Sequence, residues 1–202
     1  MSRLRSTKSL DRPVARKLPK KTIVIYCEGE LTEPDYFTAM KQAFKNSMVE
    51  IVAGVGVPLT IARKAAKEVK ARKRQPFAEK DEVWAVFDHD EHPKVSEAID
   101  ICRRGAVCVA YSNPCFELWL ILHFKDYDSS VDRHKVQDYF ASVCSGYDRA
   151  KSKTANFENW IDKVTEAEER AERQAQNREA ERMPLGPPYT SVYKLTRSIR
   201  QA

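Results

Sequence analysis

Apolar residues in this chain fall into short dense runs, separated by stretches whose apolar positions recur at helical spacing. "TIVIYC" (22–27) is β-branched and aromatic and apolar on both faces, the pattern of a strand buried from two sides. "EIVAGVGV" (50–57), "EVWAVFD" (82–88) and "AVCVAYS" (106–112) repeat that pattern and predict three more strands. Helical spacing fills the intervals. A helix is expected after Thr32, which can cap it, with Pro34 in its first turn and Asp35 at capping-box distance. Two more follow, over residues 59–74 and over 94–104, the latter ended by Gly105. "NPCFELWLILHF" (113–124) reads as an apolar helix capped by Asn113 with Pro114 at its first position.

Strands alternating with helices at this interval predict an α/β fold, a mostly parallel sheet flanked by helices. Past residue 125 the spacing is helical only. Residues 156–183 are long and charged, with a thin alanine stripe (Ala167, Ala171, Ala175) and Glu→Arg pairs four apart, which favours a solvated or projecting helix. "PLGPP" ends it, and "YTSVYKLTRSIR" returns as a short amphipathic helix. The expected organisation is a basic tail over 1–21, an α/β core over 22–125 and a helical extension over 126–202 packed on that core.

Charge changes this picture in one respect. The 202 residues carry a net +6, but residues 1–22 hold eight Lys or Arg against Asp11, a net +7. The other 180 residues therefore sum to −1, and the basicity belongs to the tail. Such a tail can neutralise phosphates without reading sequence, or serve as a solubilising arm. A second basic run, Arg63, Lys64, Lys67, Lys70 and Arg74, lies within the expected second helix. It is a solvated face or a track for a phosphate backbone. Five cysteines without CxxC spacing speak against a secreted disulfide framework and for a reducing, cytoplasmic setting. No apolar run approaches the roughly 18 residues of a membrane span. No Walker A sequence, GxGxxG or Ser-His-Asp arrangement appears. His89 and His92 find no matching pair of zinc ligands.

The candidate chemistry is acidic. In parallel α/β sheets ligands bind beyond the carboxyl ends of the strands. Glu28 ends the first strand, Asp88 and Asp90 end the third, and Asn113 and Glu117 open the segment after the fourth. Carboxylates gathered at one rim repel unless a cation lies between them, and oxygen-only donors suit Mg²⁺ or Mn²⁺. Carboxylates after strands also cap helices, and Glu33 and Asp35 are read as doing only that.

Glu-Gly after a first strand with Asp-x-Asp after a later one resembles the signature of the Toprim fold, shared by topoisomerases, primases and OLD-type nucleases. More narrowly, "YCEGELTEPDYF", "VFDHDEH" and "SNPCFELWLILHF" resemble the RloB-like family of bacterial restriction-modification and abortive-infection loci. The resemblance runs over roughly residues 22–200. It implies a Toprim-like fold and an antiviral defence role. It also implies a metal-dependent nuclease or related phosphodiester-processing site, in which Glu28 acts as general acid/base or metal-adjacent carboxylate and Asp88 and Asp90 hold the ion. Glu117 extends the acidic cluster by position alone. Nucleic acid is the implied partner. The alternative is a non-catalytic or conditionally active subunit docked on an AAA/ABC-type ATPase through the long charged helix and the C-terminal segment.

Overall fold

The computed structural model describes residues 21–75, 78–89, 94–147 and 155–202. Asp90 and His92 lie outside the described residues, as does most of the basic tail. Among the described residues, five strands form one sheet: β1 (Ile23–Cys27), β2 (Val49–Val52), β3 (Glu82–Asp88), β4 (Cys108–Asn113) and β5 (Tyr189–Thr190). The order is β2-β1-β3-β4-β5, parallel except for β5, which pairs antiparallel with β4. The α-helices among the described residues are α1 (Thr32–Ala43), α2 (Pro58–Arg72), α3 (Val95–Gly105), α4 (Glu117–Ile121), α5 (Arg133–Val143), α6 (Val164–Ala180) and α7 (Val192–Gln201).

Side chains alternate across a strand, and the continuous apolar runs make both faces of the sheet apolar. Ile23, Ile25, Cys27, Trp84 and Val86 face one core, built with α1, α4, α5, α6 and α7. Val24, Val83, Ala85 and Phe87 face a second, with α2 and α3. Asp88 follows Trp84 and Val86 in the alternation, so the end of β3 presents a carboxylate to the first face. No helix among the described residues is long and apolar enough to cross a membrane.

Several local expectations are corrected. β2 stops at Val52 rather than 57, because the Gly-containing segment turns back: Gly54 N–H donates to Gly29 O at 3.0 Å and Val55 N–H to Cys27 O at 3.1 Å. Leu31, not Thr32, stands at the N-cap of α1, and no side chain caps that end. α3 does end at Gly105, but the left-handed conformation that closes it is taken by Ala106 (φ 55°) and not by the glycine. Gly105 serves packing instead, since a Cβ there would lie 2.8 Å from that of Ala66 on α2. Asn113 is not a helix cap. It stays in β4, paired with Tyr189 and donating Nδ2–H to Leu185 O at 2.8 Å, and the helix begins only at Glu117.

The C-terminal region is not purely helical, because β5 completes the sheet. Nor does α6 project. Ala167 and Ala171 are fully buried, and Glu168 is held by the Thr196 hydroxyl (2.9 Å) and by Arg197 and Arg200 on α7. Small side chains let two helices approach closely, so a stripe that looks too thin for a core suffices when another helix lies against it. The apolar face of α7 (Val192, Leu195, Ile199) is likewise buried. Ala171→Asp, which places an unpaired carboxylate in this seam, is expected to cost about 3 kcal/mol or more. Exposed Glu169→Ala on the same helix should cost within about 0.5 kcal/mol in the same denaturation experiment.

Candidate functional site

At the carboxyl edge of the sheet a cavity of about 370 Å³ opens between β1, β3, α1, α4 and α5. Its lining includes five acidic residues, Glu28, Glu30, Glu33, Asp88 and Glu117, of which Glu30 is exposed. Glu28, Glu33, Asp88 and Glu117 come from the end of β1, from α1, from β3 and from α4, and three local devices position them.

Glu28 and Asp88 follow from the sheet register. Cys27 stands opposite Val86, so the residues beyond them leave neighbouring strand ends side by side. Glu28 N–H extends the ladder to Val86 O (3.2 Å), and its Oε2 accepts from Asp88 N–H at 3.3 Å. The Asp88 carboxylate in turn accepts from Phe116 N–H, which ties β3 to the start of α4.

Glu33 arrives through the turn. From the first turn of α1 its carboxylate folds back over Gly29 and accepts from the Gly29 N–H and its own. A Cβ on residue 29 would lie 2.3 Å from Glu33 Oε2. Gly29 is therefore required for close approach and not for φ, since it is absent from the positive-φ glycines of the described chain. Glu117 opens α4 and is only 4 % exposed. Its Oε1 accepts from Tyr147 Oη–H at 2.6 Å and from Gln137 Nε2–H at 3.2 Å, which fixes its orientation. Arg133 and Gln137, one turn apart on α5, complete that wall, and Arg133 brings a cation to it. Asp132 caps this helix, accepting from His134 and Lys135 N–H at 3.0 and 3.1 Å.

Burial and crowding govern the protonation of this cluster. Burial pushes the Glu33 carboxyl up to about 7, with the negative charges of Glu117 and Glu28 adding to it, against the two backbone N–H groups. Burial likewise holds Asp88 well above the usual carboxylate range, with Glu33, Glu117 and Glu28 all raising it further. Cys27 and Cys115, beside the cavity, are buried thiols also pushed well up, by burial first, and behave as small apolar residues.

The structure thus brings Glu28, Asp88 and Glu117 together at one rim. Asn113 does not join them, because its amide is committed to Leu185. His89 turns away from the cavity to the other face of the sheet, its Nδ1 2.6 Å from Tyr111 Oη. The cations Arg63, Lys64, Lys67, Lys70 and Arg74 are exposed on and just past α2, behind the opposite face, and none lines the cavity. Glu33, expected only to cap a helix, is a full member of the cluster. A helix starting at the carboxyl edge directs its first-turn side chains back toward that edge, and this was the available signal. Arg133, Gln137 and Tyr147 gave none, because their approach depends on how α5 packs.

A family model described as RloB-like protein matches residues 23–199, nearly the whole described chain. The chain belongs to the RloB-like family. No curated protein and no solved structure matches it. In this RloB-like chain the matched span contains every carboxylate of the cavity as well as β5 and most of α7.

Among the described residues no group of three or more His, Cys, Asp or Glu side chains is arranged to hold a metal ion. The donor chemistry nonetheless fits Mg²⁺ or Mn²⁺, because such ions are commonly held by one or two carboxylates, with water and substrate phosphate filling the remaining positions. Glu28 and Asp88 supply two.

The raised Glu33 carboxyl makes a pH-dependent prediction. Its folded value near 7 exceeds the ordinary 4.5, so the folded state binds the extra proton between those values, and stability falls as pH rises from about 4.5 to 7. Glu33→Gln should therefore be more stable than the parent above pH 7, by on the order of 1–3 kcal/mol. The difference should close below about pH 4.5, where the carboxyl is protonated in both states. Denaturant melts at several pH values check this, and a difference independent of pH would refute it.

Proposed function

We propose that this RloB-like protein is a metal-dependent phosphodiester-processing enzyme, a nuclease with a Toprim-like site. The observation that supports it is the convergence of Glu28, Glu33, Asp88 and Glu117 in one cavity at the carboxyl edge of a mostly parallel sheet. A cavity into which four carboxyl groups converge, two of them buried (Glu33 and Glu117), is poorly suited to an anionic substrate unless divalent charge offsets them. Such a charge also polarises a phosphodiester and assists attack by water.

Glu28 and Asp88, at adjacent strand ends, are the residues that would hold Mg²⁺ or Mn²⁺, with Asp90 their expected companion. Glu28 is also placed to accept a proton from attacking water. Glu117, clamped by Tyr147 and Gln137, acts as a fixed negative wall that orients what binds opposite it. Arg133 offers the complementary charge for a phosphate oxygen. Among the described residues no tyrosine lines the cavity, which favours hydrolysis by water over a covalent strand-transfer step. A hydrolytic activity of this kind suits the defence role implied by the family's restriction-modification and abortive-infection setting.

Glu28→Gln and Asp88→Asn keep shape while removing charge. Each is expected to lower Mn²⁺- or Mg²⁺-dependent cleavage of DNA or RNA by roughly 100-fold or more, with the melting transition retained. Cleavage that persists undiminished in both variants would overturn the assignment.

A further inference from the structure

We propose that the exposed cationic stripe of α2 is a docking surface for a polynucleotide, so that the substrate of the cavity is a nucleic-acid strand and not a mononucleotide or small phosphodiester. This rests on the phosphodiester reading of the cavity and deepens it. Arg63, Lys67, Lys70 and Arg74 recur at intervals of four, three and four residues, which places them on one face, and Lys64 flanks it. All five are exposed, and none forms an ion pair among the described residues.

Arg72, in the same run, shows what a structural cation looks like here. It is bound by Glu68 at 2.8 Å, Glu50 at 2.9 Å and Asp81 at 3.1 Å. The chain therefore supplies carboxylates to the arginine that staples α2 to the sheet and leaves the outward stripe without any.

The ends of the stripe are informative. α2 begins just after the segment in which Gly54 bonds Gly29, so its N-terminal end adjoins the Glu28–Glu30 turn at the cavity. Its C-terminal end reaches the opposite edge of the sheet. There Asp81, a partner of Arg72, also accepts from Thr22 N–H at 3.0 Å, immediately after Lys21. The stripe thus runs from the turn beside the acidic cavity to the opposite edge of the sheet. From Arg63 to Arg74 the rise is about 16 Å, the length of about five stacked nucleotides.

Other polyanionic surfaces fit less well. A membrane-seeking helix needs its apolar face free, whereas Ile61, Ala62, Ala65 and Val69 of α2 are buried against the sheet. A protein partner needs apolar or aromatic anchors, and the exposed face of α2 has no large apolar side chain.

The test measures binding of fluorescein-labelled 20-nucleotide DNA and RNA strands to the full chain in EDTA, where contact with phosphates is read without turnover. The triple variant Lys64→Glu, Lys67→Glu, Lys70→Glu should weaken binding at least tenfold and flatten the log Kd against log[salt] slope by about 2. A control triple with the same charge change elsewhere (Lys125→Glu, Lys163→Glu, Lys194→Glu) should weaken it less than threefold. The neutral triple of Gln at 64, 67 and 70 should fall between parent and charge reversal. Equal loss in both Glu triples, or an unchanged salt slope, would overturn the proposal. So would binding to phosphatidylserine vesicles in preference to the strands. Because the measurement is made without metal, its failure leaves the cleavage result for Glu28→Gln and Asp88→Asn standing, and the converse also holds.

Discussion

Repulsion among carboxylates that are close together and shielded from water is the constraint around which this protein is organised. Ordinary folding avoids such a cluster, since each buried negative charge raises the energy of the others. Here the chain maintains it with specific devices. Backbone N–H groups from Gly29 and Phe116 reach Glu33 and Asp88, and hydroxyl and amide donors from Tyr147 and Gln137 reach Glu117. These donors lessen the repulsion without abolishing it, as the raised carboxyls of Glu33 and Asp88 show. A bound cation would relieve the remaining repulsion, which is how the fold bears on the proposed chemistry.

The rest of the architecture serves this cavity from both sides. The parallel strands β1 and β3 lie side by side at the centre of the sheet, so the two carboxylates at their ends are neighbours without any loop having to carry them. The first core, with Tyr36, Phe116 and Trp119 in edge contact, locks the helices whose first residues form the cavity wall. His123 is buried in this aromatic cluster, between Tyr36 Oη (3.1 Å) and Trp119 O (3.2 Å). Desolvation pushes it down to about 3, so it remains a neutral packing residue. The second core, behind α2 and α3, leaves α2 free to present charge outward.

Much of the site could be read in the residues because its ingredients are local. A strand that ends on Glu28-Gly29 and another that ends on Asp88 announce themselves by periodicity, and the parallel topology then places both ends on one edge. Glu117 was readable for the same reason. Glu33 was misjudged because an acidic residue in a first helical turn has an ordinary role with the helix dipole. Only the 2.3 Å separation from a Cβ at Gly29 reveals the carboxyl lying on the turn. The alanine stripe of α6 was misjudged in a similar way, since burial of small residues depends on what lies opposite.

The sequence alone therefore determined the α/β class, the strand cores, the acidic ends of β1 and β3, and the separation of a basic tail from a nearly neutral fold. These depend on periodicity and on charge counted along the chain. The tertiary structure alone decided that Glu33 joins the cluster and that α5 supplies Arg133 and Gln137 to its wall. It also decided that Asn113 stays in a strand paired with β5, and that α6 and α7 close the first core. The physical reason is distance along the chain. Contacts such as Tyr147 with Glu117, or Thr196 with Glu168, join residues about thirty positions apart, and no local pattern encodes the packing that brings them together.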